Sequence, residues 1–201
     1  YRADQEKKRT SNMPLRDYQQ EALDALENYV AIETDNPLVV MPTGSGKSLI
    51  IYVLVRWYLE NFTDNVLIVV PTTSLVEQMY NDFKDYGYDV ETNCHRIYSG
   101  KDKNTDKRII ISTWQSIYRL QHSWFEQFGA VFGDECHGFK SKSLTLIMNK
   151  CKEAEYRFGT TGTLDGALTH ELVLQGLFGK VYRVTSTRAL QDDDTLAKLN
   201  I

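Results

Sequence analysis

The chain has 201 residues, enough for one large domain and too few for two of ordinary size. Its 42% hydrophobic and 25% charged residues are typical of an ordinary soluble globular protein, and neither a signal peptide nor an apolar run of about 20 residues is visible. The three widely spaced cysteines fit a reducing cytoplasmic setting. The net charge of −4 excludes nucleic-acid binding through an overall basic surface, so any such binding requires local contacts.

Polar residues 1–13 predict a linker or frayed end, and residues 14–201 predict one domain. The domain opens with an amphipathic helix over 16–32. Apolar runs then predict strands at 38–40, 66–70, 96–98, 109–112, 130–132, 156–158 and 181–184. Helical patterns between them predict helices over 49–62, 75–86, 114–120, 143–152 and 168–177. Alternating strands and helices predict an α/β fold with a doubly wound, mainly parallel sheet.

Segment 41–48, MPTGSGKS, has the strand–turn–helix context of a phosphate-binding loop, although Met41 occupies the position of the motif's first glycine. The glycines bring backbone N–H groups close to phosphate oxygens, and the helix start directs its positive dipole at them. A glycine-rich turn with a surface lysine is the alternative. We expect Lys47 to face the β- and γ-phosphates of ATP and Ser48 to bind Mg²⁺, in a loop formed by Thr43, Gly44, Ser45, Gly46, Lys47 and Ser48.

An acidic pair, Asp134 and Glu135, follows the strand predicted at 130–132. ATP hydrolysis requires one carboxylate for the Mg²⁺ shell and another to orient the attacking water. We assign these roles to Asp134 and Glu135, respectively. Alone, such a pair is more often a solvated turn, but together with the upstream loop it favours catalysis.

Several polar motifs lie directly after predicted strands, so they are predicted to lie together at one edge of the sheet. The segment Pro71, Thr72, Thr73 suits a nucleic-acid phosphate at a helix N-terminus, and ordinary capping explains it equally well. Thr113 and Gln115 are similarly open to both interpretations. We interpret Trp114, Trp124 and Phe125 as core residues rather than base-stacking ones, and the lysines of 100–107 as a solvated loop. Three cysteines without a CxxC pair predict neither a zinc site nor disulfides.

Taken in order, these motifs resemble those of superfamily 2 helicases, and the resemblance runs from about residue 14 to 188. DECH at 134–137 is a variant of the acidic motif, and LRDYQ, VPTTSLVEQ, ISTWQSI and TGT match others. The wider pattern, including YLEN, QFG and FGTTGTL, resembles the UvsW-type helicases of T4-like phages.

The resemblance implies a RecA-like P-loop NTPase domain. This domain would be one lobe of a DNA helicase that acts on branched DNA in recombination and replication repair. The resemblance also implies adenine recognition by Arg16 and Gln19, and coupling of ATP to nucleic acid through His137, Thr161 and Thr163. The alternative for the adenine motif is that this segment is only the start of a helix with a buried tyrosine and does not bind adenine. The implied partners are DNA, with RNA possible, and a second RecA-like lobe carrying the arginine finger. Because the chain begins at Tyr1, we expect a fragment.

Three other functions remain open from the sequence alone. A restriction-type double-stranded DNA translocase shares these motifs. An ATP-dependent binding switch would use them without separating strands. A P-loop ATPase unrelated to nucleic acid would use only the loop and the acidic pair.

Overall fold

A computed structural model describes residues 37–40, 47–136, 141–151, 154–161 and 180–183. Its strands are β1 (Pro37–Val40), β2 (Asn65–Val70), β3 (Cys94–Ile97), β4 (Ile109–Thr113), β5 (Phe128–Gly133), β6 (Tyr156–Thr161) and β7 (Lys180–Arg183). They form one sheet in the order β3-β4-β2-β5-β6-β1-β7, and every pairing is parallel. The predicted α/β parallel sheet is therefore confirmed.

Helices connect the strands within the described part of the chain. They are α1 (Lys47–Asn61), α2 (Thr73–Asp85), α3 (Val90–Asn93), α4 (Trp114–Ile117), α5 (His122–Phe125) and α6 (Ser141–Lys150). α2 begins at the N-cap Thr72, whose hydroxyl accepts a hydrogen bond from the backbone N–H of Leu75 at 3.3 Å. It ends before Gly87, whose φ of 88° gives the left-handed conformation that glycine adopts without strain.

Side chains of the central strands alternate between two hydrophobic layers. In β2, Val66, Ile68 and Val70 pack with residues of α1 and α2, whereas Leu67 and Val69 pack with residues of α4, α5 and α6. A strand buried on both faces needs apolar side chains in both directions, which explains the continuous apolar runs. The helices therefore cover both faces, as a doubly wound sheet requires.

Arg108 closes the junction between α1 and β2. Its guanidinium donates hydrogen bonds to the backbone carbonyls of Leu59, Phe62 and Asp64 at 3.2, 2.8 and 2.9 Å. The carbonyl of Leu59 is among the last of the helix, which have no partner within it, and those of Phe62 and Asp64 follow the helix, so this cation satisfies groups that would otherwise need water. Arg108 thereby fixes the end of the helix whose first residue is Lys47.

The predicted boundaries need small corrections. The helix predicted over 114–120 is too long: α4 ends at Ile117, and the ammonium of Lys150 binds the carbonyls of Tyr118 and Leu120, both at 2.7 Å. The helix predicted over 143–152 lies two residues earlier, as α6. The short α3 and α5 were not predicted, because four residues carry no periodicity. The segment 1–13 and the helices predicted over 16–32 and 168–177 lie outside the described residues.

Candidate functional site

The start of α1 lies where the sequence predicts a phosphate-binding loop. β1 ends at Val40 and α1 begins at Lys47, so the predicted strand and helix flank the loop. Thr43, Gly44, Ser45 and Gly46 lie outside the described residues, as do Arg16 and Gln19 of the adenine motif. The roles of these six residues stay predictions.

Asp134, at the end of β5, is held by three hydrogen bonds. Its backbone N–H donates to the carbonyl of Val69 at 2.9 Å. Its Oδ1 accepts from the Thr160 hydroxyl at 2.6 Å and from the backbone N–H of Glu135 at 3.0 Å. Because Asp134 is only 4% exposed, these bonds fix its carboxylate in one orientation.

Lys47 and the acidic pair meet although they lie far apart in sequence. The Lys47 ammonium lies 3.1 Å from Oδ1 of Asp134 and donates a hydrogen bond to Oε1 of Glu135. All three side chains are largely buried, so water screens their attraction less than it would on the surface. The structure thus brings together the three residues predicted to be catalytic.

Glu135 has a strained backbone. Its φ of 54° lies in the left-handed region, and no other non-glycine residue of the described chain has a positive φ. Such a conformation costs roughly 1–3 kcal/mol and persists where surrounding contacts impose it. Here the contacts are the bond from its N–H to Asp134 and the bond from Lys47 to its carboxylate.

Ser48 contacts α2, which the sequence did not predict. Its Oγ lies 2.6 Å from the hydroxyl oxygen of Tyr86, the residue that caps the C-terminus of α2. Burial raises the pKa of Tyr86 and that of Asp82, whereas a hydrogen bond with the Ser48 hydroxyl lowers both. Asp134 is also close enough to raise the pKa of Asp82 further. Asp82 and Tyr86 are four residues apart on one helix face, but that spacing alone does not identify a site.

The residues at the site fit Mg²⁺ by their chemistry. Ser48, Asp134 and Glu135 offer oxygen donors, which Mg²⁺ prefers. No group of three or more histidine, cysteine or acidic side chains forms a metal cage within the described ranges. Mg²⁺ is usually held by one or two protein ligands together with substrate phosphates and water.

The residues predicted to bind nucleic acid lie at adjacent strand ends. Val70 of β2 is paired with Thr113 of β4, and the Gln115 amide donates to the carbonyl of Pro71 at 3.2 Å. Thr72, Thr73 and Gln115 are exposed, whereas Pro71 and Thr113 are buried. The hydroxyl of Thr113 lies 2.8 Å from that of Ser116, so it organises the first turn of α4.

The residues predicted to couple the two sites are only partly described. Thr161 is the last residue of β6 and pairs with Val40 of β1, whereas His137 and Thr163 lie outside the described residues. The neighbouring Thr160, which sequence reasoning missed, makes the direct contact with Asp134. Its only sequence signal was its place within the GTTGT segment.

The structure also describes the cysteines and the aromatic residues that the sequence singles out. Cys94, Cys136 and Cys151 are free and buried, and burial raises the pKa of each thiol to about 12. Trp114 and Phe125 are core residues, and Trp124 packs against the same cluster. No helix of the described residues is long and apolar enough to cross a bilayer.

The sheet, the helix start at Lys47 and the acidic pair facing it define the class of protein. It is a RecA-like P-loop NTPase domain of the type found in superfamily 2 helicases. Residues 12–166 match the family described as "Type III restriction enzyme, res subunit". The chain belongs to this family, which is a helicase ATPase family.

Individual relatives agree with this assignment. The chain is 34% identical over 165 residues to the ATP-dependent DNA helicase uvsW of phage T4, an alignment covering 80% of this chain and 33% of that protein. A crystal structure of the T4 UvsW helicase matches with a TM-score of 0.73 and 31% identity, covering 86% of this chain and 61% of that one. The ATP-dependent DNA helicase Hel308 of Pyrococcus abyssi is 32% identical over 124 residues, covering 57% of this chain and 17% of its own length. The chain therefore spans a third or less of these curated relatives.

Proposed function

We propose that this chain is the ATP-binding lobe of a DNA helicase that acts on branched DNA in recombination and replication repair. The observation that carries the proposal is the convergence of Lys47 with Asp134 and Glu135 at one edge of the sheet. The relative named an ATP-dependent DNA helicase supports the choice of DNA over RNA. The same proposal places the protein in the cytoplasm, that of the host cell if a phage encodes it.

ATP would replace the contacts that Lys47 makes with the carboxylates. In the structure described here the ammonium is paired with Asp134 and Glu135, so it must turn toward the β- and γ-phosphates when nucleotide enters. Mg²⁺ bound by Ser48 and, directly or through water, by Asp134 would neutralise charge on the phosphates. Glu135, released from Lys47, would then orient the attacking water and accept its proton.

The nucleic-acid contacts would come from exposed groups at the ends of β2 and β4. Thr72 and Thr73 offer hydroxyls and the first N–H groups of α2, and Gln115 offers its amide. Contacts of this kind bind the backbone and do not read sequence, so they suit a motor that moves along DNA. Buried Pro71 and Thr113 would position these groups, and Thr161, His137 and Thr163 would connect them to the phosphates.

A second RecA-like lobe of the same protein would complete the motor. The charge that develops on the γ-phosphoryl group is typically stabilised by an arginine finger worth ~10³–10⁵ in rate. We propose that this finger, the rest of the ATP site and half of the nucleic-acid groove belong to that lobe.

The second candidate function is a restriction-type translocase on double-stranded DNA. The description of the matched family favours it, because it names the res subunit of a type III restriction enzyme. A translocase moves along the duplex without separating strands, and an ATP-dependent binding switch neither moves along DNA nor separates strands. The DNA product, separated strands or intact duplex, therefore distinguishes a helicase from the other candidates.

The test compares Lys47→Ala with Lys84→Ala in the intact protein, because Lys84 is an exposed lysine of α2. Steady-state ATPase is measured with saturating DNA, and strand displacement is measured on forked, four-way and linear duplexes. We expect Lys47→Ala to abolish DNA-stimulated hydrolysis and Lys84→Ala to leave it unchanged. Strand separation restricted to branched substrates supports the proposal. Displacement of a third strand bound to linear duplex, while the two duplex strands stay paired, would favour the translocase. ATPase activity that DNA does not stimulate would refute both functions.

A further inference from the structure

The first turn of α1 contacts the C-terminal turn of α2 through hydrophilic groups. The Tyr86 hydroxyl lies 2.6 Å from Ser48 Oγ, and the Asp82 carboxyl is close enough to this serine for its hydroxyl to lower the pKa of Asp82 against the larger effect of burial. The two residues belong to one turn, since the backbone N–H of Tyr86 donates to the carbonyl of Asp82 at 3.0 Å. One face of α2 therefore presents two polar groups to the side chain proposed to bind Mg²⁺.

The chemistry of the three groups gives the hydrogen bonds a direction. A serine hydroxyl has one proton and two lone pairs, and an ionised carboxylate only accepts. A Ser48 hydroxyl that donates its proton to Asp82 can accept the proton of the Tyr86 hydroxyl at Oγ. One lone pair of the serine oxygen stays free for a cation, and the carboxylate raises the electron density of that oxygen.

Aromatic packing fixes the position of the Tyr86 hydroxyl. The Tyr86 ring lies 5.2 Å from the ring of Tyr52, and Tyr52 also contacts Phe83 at 5.1 Å and Tyr88 at 5.8 Å. Tyr52 lies one turn beyond Ser48 on α1 and is only 3% exposed, so the cluster joins α1 to α2. The hydroxyl thus reaches Ser48 from a ring that has little freedom to move.

We infer that Tyr86 and Asp82 are positioning residues for the Mg²⁺ of the nucleotide site, acting through the Ser48 hydroxyl. The inference rests on the proposed function, because it requires that Ser48 bind Mg²⁺. Asp82, Asp134 and Glu135 place three carboxylates around Ser48 and Lys47, an excess of negative charge that a divalent cation offsets. Groups that hydrogen-bond a metal ligand without touching the metal typically change metal affinity by ~10–100-fold when they are removed.

The experiment measures Mg²⁺-dependent nucleotide binding rather than turnover. The intact protein and its Tyr86→Phe, Asp82→Asn and Tyr88→Phe variants are titrated with a fluorescent ADP, first in EDTA and then at increasing Mg²⁺. Tyr88→Phe is the matched control, because it removes a hydroxyl from the same aromatic cluster. We expect Tyr86→Phe and Asp82→Asn to raise the Mg²⁺ concentration at half-saturation by ~10-fold or more. Affinity in EDTA should stay at the wild-type value in every variant.

Two results would overturn the inference. One is a Tyr86→Phe titration that coincides with those of Tyr88→Phe and the wild type, since Tyr86 would then only pack. The other is an equal loss of affinity with and without Mg²⁺, which would indicate a distorted loop. If thermal melting finds Tyr86→Phe unfolded, Asp82→Asn decides by the same criterion. A wild-type protein whose ADP binding ignores Mg²⁺ would refute the proposed Mg²⁺ site itself, whatever the variants do.

Discussion

Replacing Glu135 with glutamine is expected to stop ATP hydrolysis while leaving nucleotide binding in place. Glutamine has the same length, so its side-chain oxygen still accepts the hydrogen bond that Lys47 donates. The main-chain bond from residue 135 to Asp134 Oδ1, at 3.0 Å, does not involve the changed atoms. What is lost is a group that can take a proton from the attacking water.

General-base catalysis typically contributes ~10²–10⁴ in rate. At 1.36 kcal/mol per tenfold, the activation barrier rises by about 2.7–5.4 kcal/mol. Removing one negative charge beside the phosphates lowers repulsion, so we expect nucleotide affinity to stay equal or to rise. The positive φ is the same in both proteins, so thermal stability should change little.

The assay combines single-turnover hydrolysis with titration of a fluorescent ATP analogue in the intact protein. Glu126→Gln is the control, because Glu126 is an exposed carboxylate whose described ion pair is with His122 alone. We expect the control to match the wild type in both measurements. A parallel fall of affinity and turnover in Glu135→Gln would refute the reasoning, since Glu135 would then be a structural residue or a metal ligand.

Three further predictions follow from local geometry and from the proposed second lobe. Glu135→Gly should be more stable than Glu135→Ala by about 1 kcal/mol, because both lose the carboxylate and only glycine adopts the positive φ without strain. Equal melting temperatures of the two variants would show that the backbone of residue 135 is not strained. Gly129→Ala should destabilise the fold by about 1–3 kcal/mol in urea unfolding, because its Cβ would lie 1.8 Å from the Tyr58 hydroxyl. Adding Tyr58→Phe should recover part of that loss, and no recovery would show that the clash is with another group. The 201-residue chain by itself should melt cooperatively and bind Mg·ATP modestly, with negligible stimulation by DNA; strong DNA-stimulated turnover by the purified monomer would locate the arginine finger within this chain.

The elements of the sheet could be predicted because burial leaves a local pattern. Strands such as β2 and β4 contain continuous apolar runs, at 66–70 and 109–111, and helices such as α2 have a capping residue at the start and a glycine after the end. The convergence of Lys47 with Asp134 could be expected too, because parallel strands end at one edge. The strand order could not be read from the sequence, since parallel pairing uses backbone groups that nearly every residue has.

Contacts between side chains that are distant in sequence could not be predicted either. Nothing in the sequence distinguishes Thr160 from Thr161, and the hydrogen bond from Thr160 to Asp134 depends on the alternation of side chains along β6. Tyr86 and Asp82 looked like residues near the end of an amphipathic helix, and their contact with Ser48 depends on how α2 packs against α1. The role of Arg108 likewise depends on three carbonyls that lie more than forty positions earlier in the chain.

The place of β6 in the sheet has a mechanical consequence. It lies between β1, which leads to Lys47, and β5, which ends at the acidic pair. Two strand spacings separate these neighbours, about 10 Å in all, so the end of β6 sets the width of the gap across which lysine and carboxylates face each other. A twist or tilt of this one strand alters that width at both sides together. Substitutions inside β6 should therefore change the response to nucleotide even where no atom of the strand touches it.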